Sequence, residues 1–429
     1  MGAASVVVKV APETFKENAM QRRFSLLALG LAALLVTLGP NEAAAQADKP
    51  IRIGMTVSSA GTFALQAQSG QRGVEIWIDD VNSRGGIDIG GTKRKVELVK
   101  LDDRSDKTLV PRVYETLIKD EQVDLLFAPF GSTLTAAAAN TTETSNKFMV
   151  MWSASADSIY KQGYKYVVSA TQIAGSLLGQ PGVRALHAMG VKKIAFAYLD
   201  EPFPAALTQG AIELAKELGM EVTMDEKFAK GTKDFNILIQ KAKASGAEAF
   251  YPTAYEGDQM TIARQIREVN ADFKAVFLFY ASQPQFLQQS GKDGHFVFSE
   301  TLLHDKINWK VTQGLDRTQM VERYGKLFPN ARYEADFQTA LAYGAGVITE
   351  AIIKGAQSLE AAKLKDAAVK LSGKIVTLTG EYQIDETGKQ FKNEFAVVQT
   401  LPNGLEVVYP PAIATAKPVY PVPAFAKRN

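Results

Sequence analysis

The sequence predicts an α/β protein of two doubly wound, Rossmann-like units in tandem, each a parallel sheet with helices on both faces. Three observations carry this. Short apolar, β-branched runs alternate with stretches of helical periodicity, which is the pattern of parallel strands joined by crossover helices. The runs fall into two groups, each starting its own sheet. Within the second group they recur about every 28 residues, the length of a βα unit.

The first group begins at Ile51 (IRIGMTV), Val96 (VELVKL), Asp124 (DLLFA) and Phe148 (FMVM). The second begins at Lys193 (KIAFAY), Glu221 (EVTM), Ala249 (AFYP) and Ala275 (AVFLF). Helices are predicted between them over residues 72–82, 109–119, 205–218, 235–245 and 259–269. In the third of these, Leu207, Ile212, Leu214, Ala215 and Leu218 have helical spacing. From about His295 the chain is helix-rich to Leu371 and strand-rich beyond it. Its clearest helix covers 333–355, a packed amphipathic helix with Phe337, Leu341, Gly344, Ala345, Ile348 and Ile352 on one face and Gly355 as the expected C-cap. The Pro-rich tail, PPAIATAKPVYPVPAF, is expected to lie extended on the surface.

Residues 24–39 (FSLLALGLAALLVTLG) carry no charge, follow Arg22 and Arg23, and precede Ala43-Ala44-Ala45-Gln46-Ala47. A positive, then apolar, then small-residue order reads as a cleavable secretory signal. A transmembrane anchor needs ~20 residues, and this run has sixteen. Starting at Met20 gives a short basic leader, so residues 1–47 are read as an extension (1–19) and a signal peptide cleaved after Ala45 or Ala47. The processed chain, about 380 residues long, suits two domains. It is expected in the periplasm, free of the membrane.

Losing residues 1–47 removes four basic and three acidic groups and turns the formal +2 into +1. No bulk attraction to nucleic acid or membrane follows from that balance. With no cysteine, thiol catalysis, Cys-based zinc sites and iron–sulfur clusters are excluded together. Only His187, His295 and His304 supply imidazoles, and none has a partner that the sequence nominates. No phosphate loop, no G-x-G-x-x-G after a strand and no G-x-S-x-G elbow occurs. The acidic cluster Asp102, Asp103 and Asp106 lacks calcium-loop spacing and reads as a strand end followed by a helix N-cap at Asp106. Enzyme activity, a metal and a cofactor are therefore not expected.

What remains informative lies beyond the C-terminal ends of the strands, where open α/β sheets bind ligands and helix N-termini present free N–H groups. SSAGTFALQAQSGQ follows the first strand, FGSTLTAAAAN the third and WSASAD the fourth. Ser132, Thr133 and Ser155 can donate hydroxyl and backbone N–H bonds to a carboxylate, the helix dipole adding roughly 0.3–2 kcal/mol. The same residues can serve as ordinary caps, and both roles can hold at once.

In this order the loops resemble the branched-chain amino-acid-binding family, the type I periplasmic binding proteins of ABC transporters. The carriers are IRIGMTVSSAGTFALQAQSGQRGVEIWIDDVNSRGGI, VELVKLDDRSDK, LLFAPFGSTLTAAAA, NKFMVMWSASA and GTKDFNILIQKAKASGAEAFYPTAYEGDQMTIARQIRE. The resemblance implies two lobes joined by three crossovers, closing by a hinge over a small ligand, and transporter permease subunits as partners. It places lobe 1 at residues 48–171 plus 303–390 and lobe 2 at 172–302 plus 391–429. The protein is expected to act as a monomer.

The family's carboxylate-binding loop falls on Ser132 and Thr133, and its second hydroxyl loop on Ser153, Ala154 and Ser155. Its first-loop aromatic falls on Phe63 or near Gln66, while Phe203 replaces a tyrosine in the turn Asp200-Glu201-Pro202-Phe203. Tyr255 takes the aromatic position after the second unit's third strand. After the following strand, where amino-acid binders of the family carry an acid, this chain has Tyr280, Ala281 and Ser282. A buried ammonium without its counter-charge costs roughly 3–5 kcal/mol, a large part of a micromolar affinity. Glu201 and Glu256 are the candidate substitutes. With Phe130 and Trp152 also in these loops, the first expectation is an apolar or aromatic carboxylate lacking an α-amine. The alternatives are a branched-chain or aromatic amino-acid binder using a different acid, and a ligand sensor on the same fold.

Overall fold

The computed structural model describes residues 49–393 and 395–427. The expected export segment, with the run 24–39, the start at Met20 and the cleavage stretch, lies outside these residues.

The first half alternates as expected. β1 (Ile51–Thr56) leads into α1 (Ala64–Ser83), the hairpin β2 (Ile87–Ile89) and β3 (Thr92–Arg94), and β4 (Val96–Leu101). Then come α2 (Val110–Lys119), β5 (Leu125–Phe127), α3 (Ser132–Thr144), β6 (Met149–Met151), α4 (Asp157–Tyr160) and β7 (Val167–Ser169). The five longer-range strands form one sheet in the order β4-β1-β5-β6-β7, all parallel. LLF in β5 and MVM in β6 are buried throughout, as strands covered on both faces must be.

The second unit runs through α5 (Gly175–Leu178), α6 (Gln180–Ala188), β8 (Lys193–Leu199), α7 (Pro202–Glu217), β9 (Glu221–Phe228) and α8 (Asn236–Ala244). It continues with β10 (Ala249–Thr253), α9 (Glu256–Glu268), β11 (Ala275–Val276), α10 (Pro284–Ser290) and β12 (Phe298–Thr301). Its parallel sheet has the order β11-β10-β8-β9. Both sheets therefore reverse direction beside their first strand, between β1 and β5 and between β8 and β10. Loops diverge there and leave a crevice at the strands' carboxyl ends.

The last third returns to both units. α11 (Arg317–Leu327), α12 (Phe337–Ala356), α13 (Ala361–Lys370) and the hairpin β13 (Ile375–Thr377) and β14 (Gly380–Tyr382) precede β15 (Ala396–Leu401) and β16 (Gly404–Tyr409). β15 pairs antiparallel with both β12 and β16, and Phe277 bridges Phe298, so this sheet continues the second one.

α12 departs from the one-sided helix expected. Every residue from Phe337 to Ile353 is buried, the signature of a helix packed on all sides. It lies close on α1 because glycines permit it: a Cβ on Gly73 would sit 2.2 Å from the Thr339 carbonyl oxygen, and one on Gly346 2.3 Å from the Trp77 ring. The helix also ends later than expected. Gly355 stays helical, and Gln357 takes the left-handed position with φ 48°. Gln357 stabilises that end itself, its amide donating to the Lys354 carbonyl (2.8 Å) and accepting from the Gly90 N–H (2.7 Å).

The acidic cluster is saturated by local donors. Asp103 is fully buried and accepts from the Thr56 and Ser58 hydroxyls, each at 2.5 Å, and from the Ser105 N–H at 2.9 Å. Asp102 accepts from the Ser59 N–H and hydroxyl. Together they fasten the loop leaving β1 to the end of β4. Asp106 closes a turn on Thr108 (2.8 and 2.7 Å) and is not the helix cap predicted, because α2 starts four residues later with Leu109 before it. Among the described residues no helix is long and apolar enough to cross a membrane.

Candidate functional site

The loops beyond β1, β5 and β6 face those beyond β8, β10 and β11, and their aromatic side chains meet. Phe63, just before α1, packs edge-on against Tyr255, just before α9, with ring centroids 4.9 Å apart. Tyr255 tilts against Phe203 in the first turn of α7 at 5.8 Å. Phe203 contacts Phe279 and Tyr280, and Tyr280 stacks on Phe337, the first residue of α12, at 6.1 Å and 19°. Phe130 closes the other end, 5.8 Å from Phe63 and 5.7 Å from Trp152.

Between these rings lies a chamber of ≈ 10 Å³, room for about one water. Its remaining wall is Gly131, Ser153, Gln172, Gln338 and Leu341, and no charged side chain lines it. Burial pushes the Tyr255 and Tyr280 hydroxyls well above their ordinary range, so both stay neutral donors. Several buried polar atoms around the chamber have no protein partner: Gln66 Oε1, Ser155 Oγ, Gln172 Oε1, Tyr255 OH, Glu256 Oε1 and Gln283 Oε1. Interiors normally pair such groups, and clustering them between two lobes marks a place prepared for polar contact.

The hydroxyl loops brace one another. The Ser132 Oγ accepts from the Ser155 and Ala156 N–H groups at 3.1 and 3.0 Å, and the Ser153 Oγ accepts from the Gly131 N–H at 3.1 Å. Across the gap, the Thr133 hydroxyl donates to Glu201, which also pairs with Lys230 at 3.2 Å. The Gln66 amide donates to Glu256 Oε2 at 2.8 Å, and Gln283 donates to Gln338.

Of the residues singled out from sequence, Phe130, Ser153, Phe203, Tyr255 and Tyr280 line the chamber. Phe63 stands directly behind Tyr255, and Thr133 reaches across to Glu201. Gln66 lies in a neighbouring recess of ≈ 20 Å³ with Ser69, Arg72, Glu256, Gln283 and Asp336. Ser132, Ala154, Ser155 and Trp152 are fully buried outside the chamber wall; Trp152 fills the space against Gly70 and donates to the Ala128 carbonyl at 3.0 Å.

The wall residues not anticipated are Gln172, Phe279, Phe337, Gln338 and Leu341. Phe337 read as one more core position of a helix, and only the Asp336 cap, accepting from the Thr339 N–H at 2.8 Å, signals that a helix N-terminus opens there. Glu256 lies in the neighbouring recess with Gln66. Its carboxyl is pushed up to about 8, by burial first and by Asp336 second, against the hydrogen bond from Gln66. Beyond Gln283, Asp336 and Phe337 the gap widens into a cavity of ≈ 650 Å³, with Arg317, Arg332, His304 and Glu334 on its walls.

The family described as periplasmic binding protein matches residues 50–404. Leu/Ile/Val-binding protein homolog 7 of Brucella suis is 25% identical over 407 residues, covering 91% of this chain and 98% of its own. The isoleucine complex of the substrate-binding protein LivJ from Streptococcus pneumoniae superposes with a TM-score of 0.71 at 21% identity, covering 84% of this chain and 100% of that one. A solute-binding protein from R. palustris in complex with benzoate gives 0.71 at 16% identity, covering 87% and 98%. With its two switch-point crevices facing one another across an aromatic chamber, the chain belongs to the periplasmic binding protein family.

Proposed function

We propose that this protein is the extracytoplasmic solute-binding component of an ABC transporter, closing its lobes over a small carboxylate with an apolar or aromatic body. The observation that carries this is the chamber wall: six aromatic rings around neutral donors and no acid facing inward. The body of the ligand would replace ring–ring contacts as the lobes part and re-close. Its carboxylate would take the Ser153 and Tyr255 hydroxyls and the first-turn N–H groups of α3. The proposed lobes are residues 48–171 plus 303–390 and 172–302 plus 391–429, acting as a monomer in the periplasm and delivering to permease subunits. Binding without turnover needs nothing more than hinge closure.

One observation favours a second reading. The unpartnered Oε1 of Glu256 stands where a ligand ammonium could pair with it, which would make the ligand a branched-chain or aromatic amino acid. A thermal-shift panel of benzoate, phenylacetate and 4-methyl-2-oxopentanoate against phenylalanine and leucine separates the two. Stabilisation by the first three supports the carboxylate reading. Stabilisation by the amino acids alone, lost in Glu256→Gln, replaces it with the second.

A further inference from the structure

Away from the chamber, a cavity of ≈ 220 Å³ lies where the chain passes between the two sheets. All three passages contribute to it: Ile173 after β7, Ile307 and Trp309 after β12, and Phe391 and Phe395 before β15. Two of these passages are hydrogen-bonded side by side, the Ala174 N–H donating to the Gln390 carbonyl at 3.1 Å and the Asn393 amide to the Thr171 carbonyl at 2.9 Å.

Seven large hydrophobic side chains are exposed among the described residues, and three of them, Trp309, Phe391 and Ile413, each 39% exposed, line this one cavity. Solvent-facing apolar groups gathered in a concavity mark a binding surface. An apolar cavity of about 150 Å³ already takes up benzene, so the size fits one small ring. The lining holds a single charged group, Arg184, and no acid. The Arg184 guanidinium donates to Gln180 Oε1 at 3.1 Å, which holds it at the rim.

We propose that this cavity is a second ligand site, for a small apolar ring or branched chain bearing one negative charge, built by the links between the lobes and separate from the chamber. The ring packs on Trp309, Phe391 and Ile413, and the anionic end meets Arg184. Because its walls come from all three links, an occupant contacts every segment that a change in lobe orientation must bend. Occupancy is thereby coupled to that orientation.

The protein carries its own reporter. Of its three tryptophans, Trp77 and Trp152 are fully buried and Trp309 is exposed. Titrating the full chain with cyclohexanecarboxylate should change the tryptophan emission saturably. The neutral analogue cyclohexylmethanol should bind about two- to fivefold more weakly, the contribution of one exposed ion pair. Arg184→Gln should erase that preference, and Ile413→Glu should weaken carboxylate binding at least about tenfold by placing an acid in the cavity. Tyr255→Phe, which should weaken carboxylate binding in the chamber, should leave unchanged the part of the response that is lost in Trp309→Phe. The proposal is overturned if wild-type emission does not respond, if the response is undiminished in Trp309→Phe or its affinity unchanged in Ile413→Glu, or if Tyr255→Phe abolishes the Trp309-dependent part. That last outcome would assign the signal to the chamber and leave the proposed transport function untouched.

Discussion

Replacing Glu256 by Gln probes how the lobes hold one another, with a sign fixed by the buried carboxyl. Glu256 is 4% exposed, and burial, with Asp336 adding, raises its pKa from 4.5 to about 8 in the folded protein. As pH rises, the unfolded chain gives up this proton first, near 4.5, while the folded protein keeps it. Glu256 thus costs nothing below about pH 4.5, subtracts stability progressively from there to about 8, and is constant above. At pH 7 the gap is about 2.5 pH units, or roughly 3 kcal/mol at 1.36 kcal/mol per unit. At pH 5 the cost is below about 1 kcal/mol.

Gln at this position keeps the shape and can still accept from Gln66, but it cannot ionise. Circular-dichroism melting of the variant and wild type at pH 5 and pH 7 should show near-coincident curves at pH 5. At pH 7 the variant should melt roughly 6–12 °C higher, taking 2–4 °C per kcal/mol for a lobe-sized unit. An equal shift at both pH values, or a lower melting point at pH 7, would refute the assignment of a buried protonated Glu256.

Tyr255→Phe should weaken carboxylate binding about 10- to 100-fold by isothermal calorimetry, the worth of one hydrogen bond to a charged group, with little change in melting temperature. If the ligand is instead an amino acid paired with Glu256, binding at pH 7 should release close to one proton, read as a dependence of the binding enthalpy on the buffer's ionisation enthalpy. Gly346→Ala drives a Cβ to 2.3 Å from Trp77 and should cost about 3 kcal/mol or more in urea unfolding. Arg84→Met removes the two-pronged bond to Glu350 (3.0 and 2.8 Å) and should cost about 1–2 kcal/mol near neutral pH, less than a fully buried pair because Arg84 is 45% exposed. For Glu350, burial raises the pKa, but hydrogen bonds from Arg84 and Lys354 outweigh it and the net shift is downward. The Arg84 penalty should therefore shrink as pH falls below about 4.5.

Sheet architecture was readable because β-branched runs bounded by turns announce buried parallel strands, and all eight of the first-named runs carry a strand. Boundaries were less so. The stretch TFALQAQSGQ, full of small and polar residues, read as loop, yet α1 begins at Ala64, and Gln66 and Ser69 are buried there by contacts from distant segments. The chamber's identity was half legible. Loop aromatics such as Phe203 and Tyr255 follow strands directly and could be assigned. Phe337 and Gln338 come from a helix that begins 82 residues beyond Tyr255, and nothing local distinguishes a core phenylalanine from one that faces a chamber. Ser132 illustrates a subtler limit: residue type gave the right loop, but the hydroxyl's acceptance of two backbone N–H groups depends on the loop beyond β6.

The return of the last third to both sheets has a consequence for how this chain acquires its structure. The first unit is incomplete without α12, which buries itself on α1 and supplies Glu350 to Arg84 across 266 residues. The second is incomplete without β15, since Phe298 in β12 pairs only with Gln399 and its neighbours on that side. A chain emerging from a ribosome or a membrane pore therefore exposes an unpaired sheet edge and an uncovered helix face until nearly its end has arrived. High contact order of this kind delays folding and makes the chain dependent on protection from aggregation in the interval.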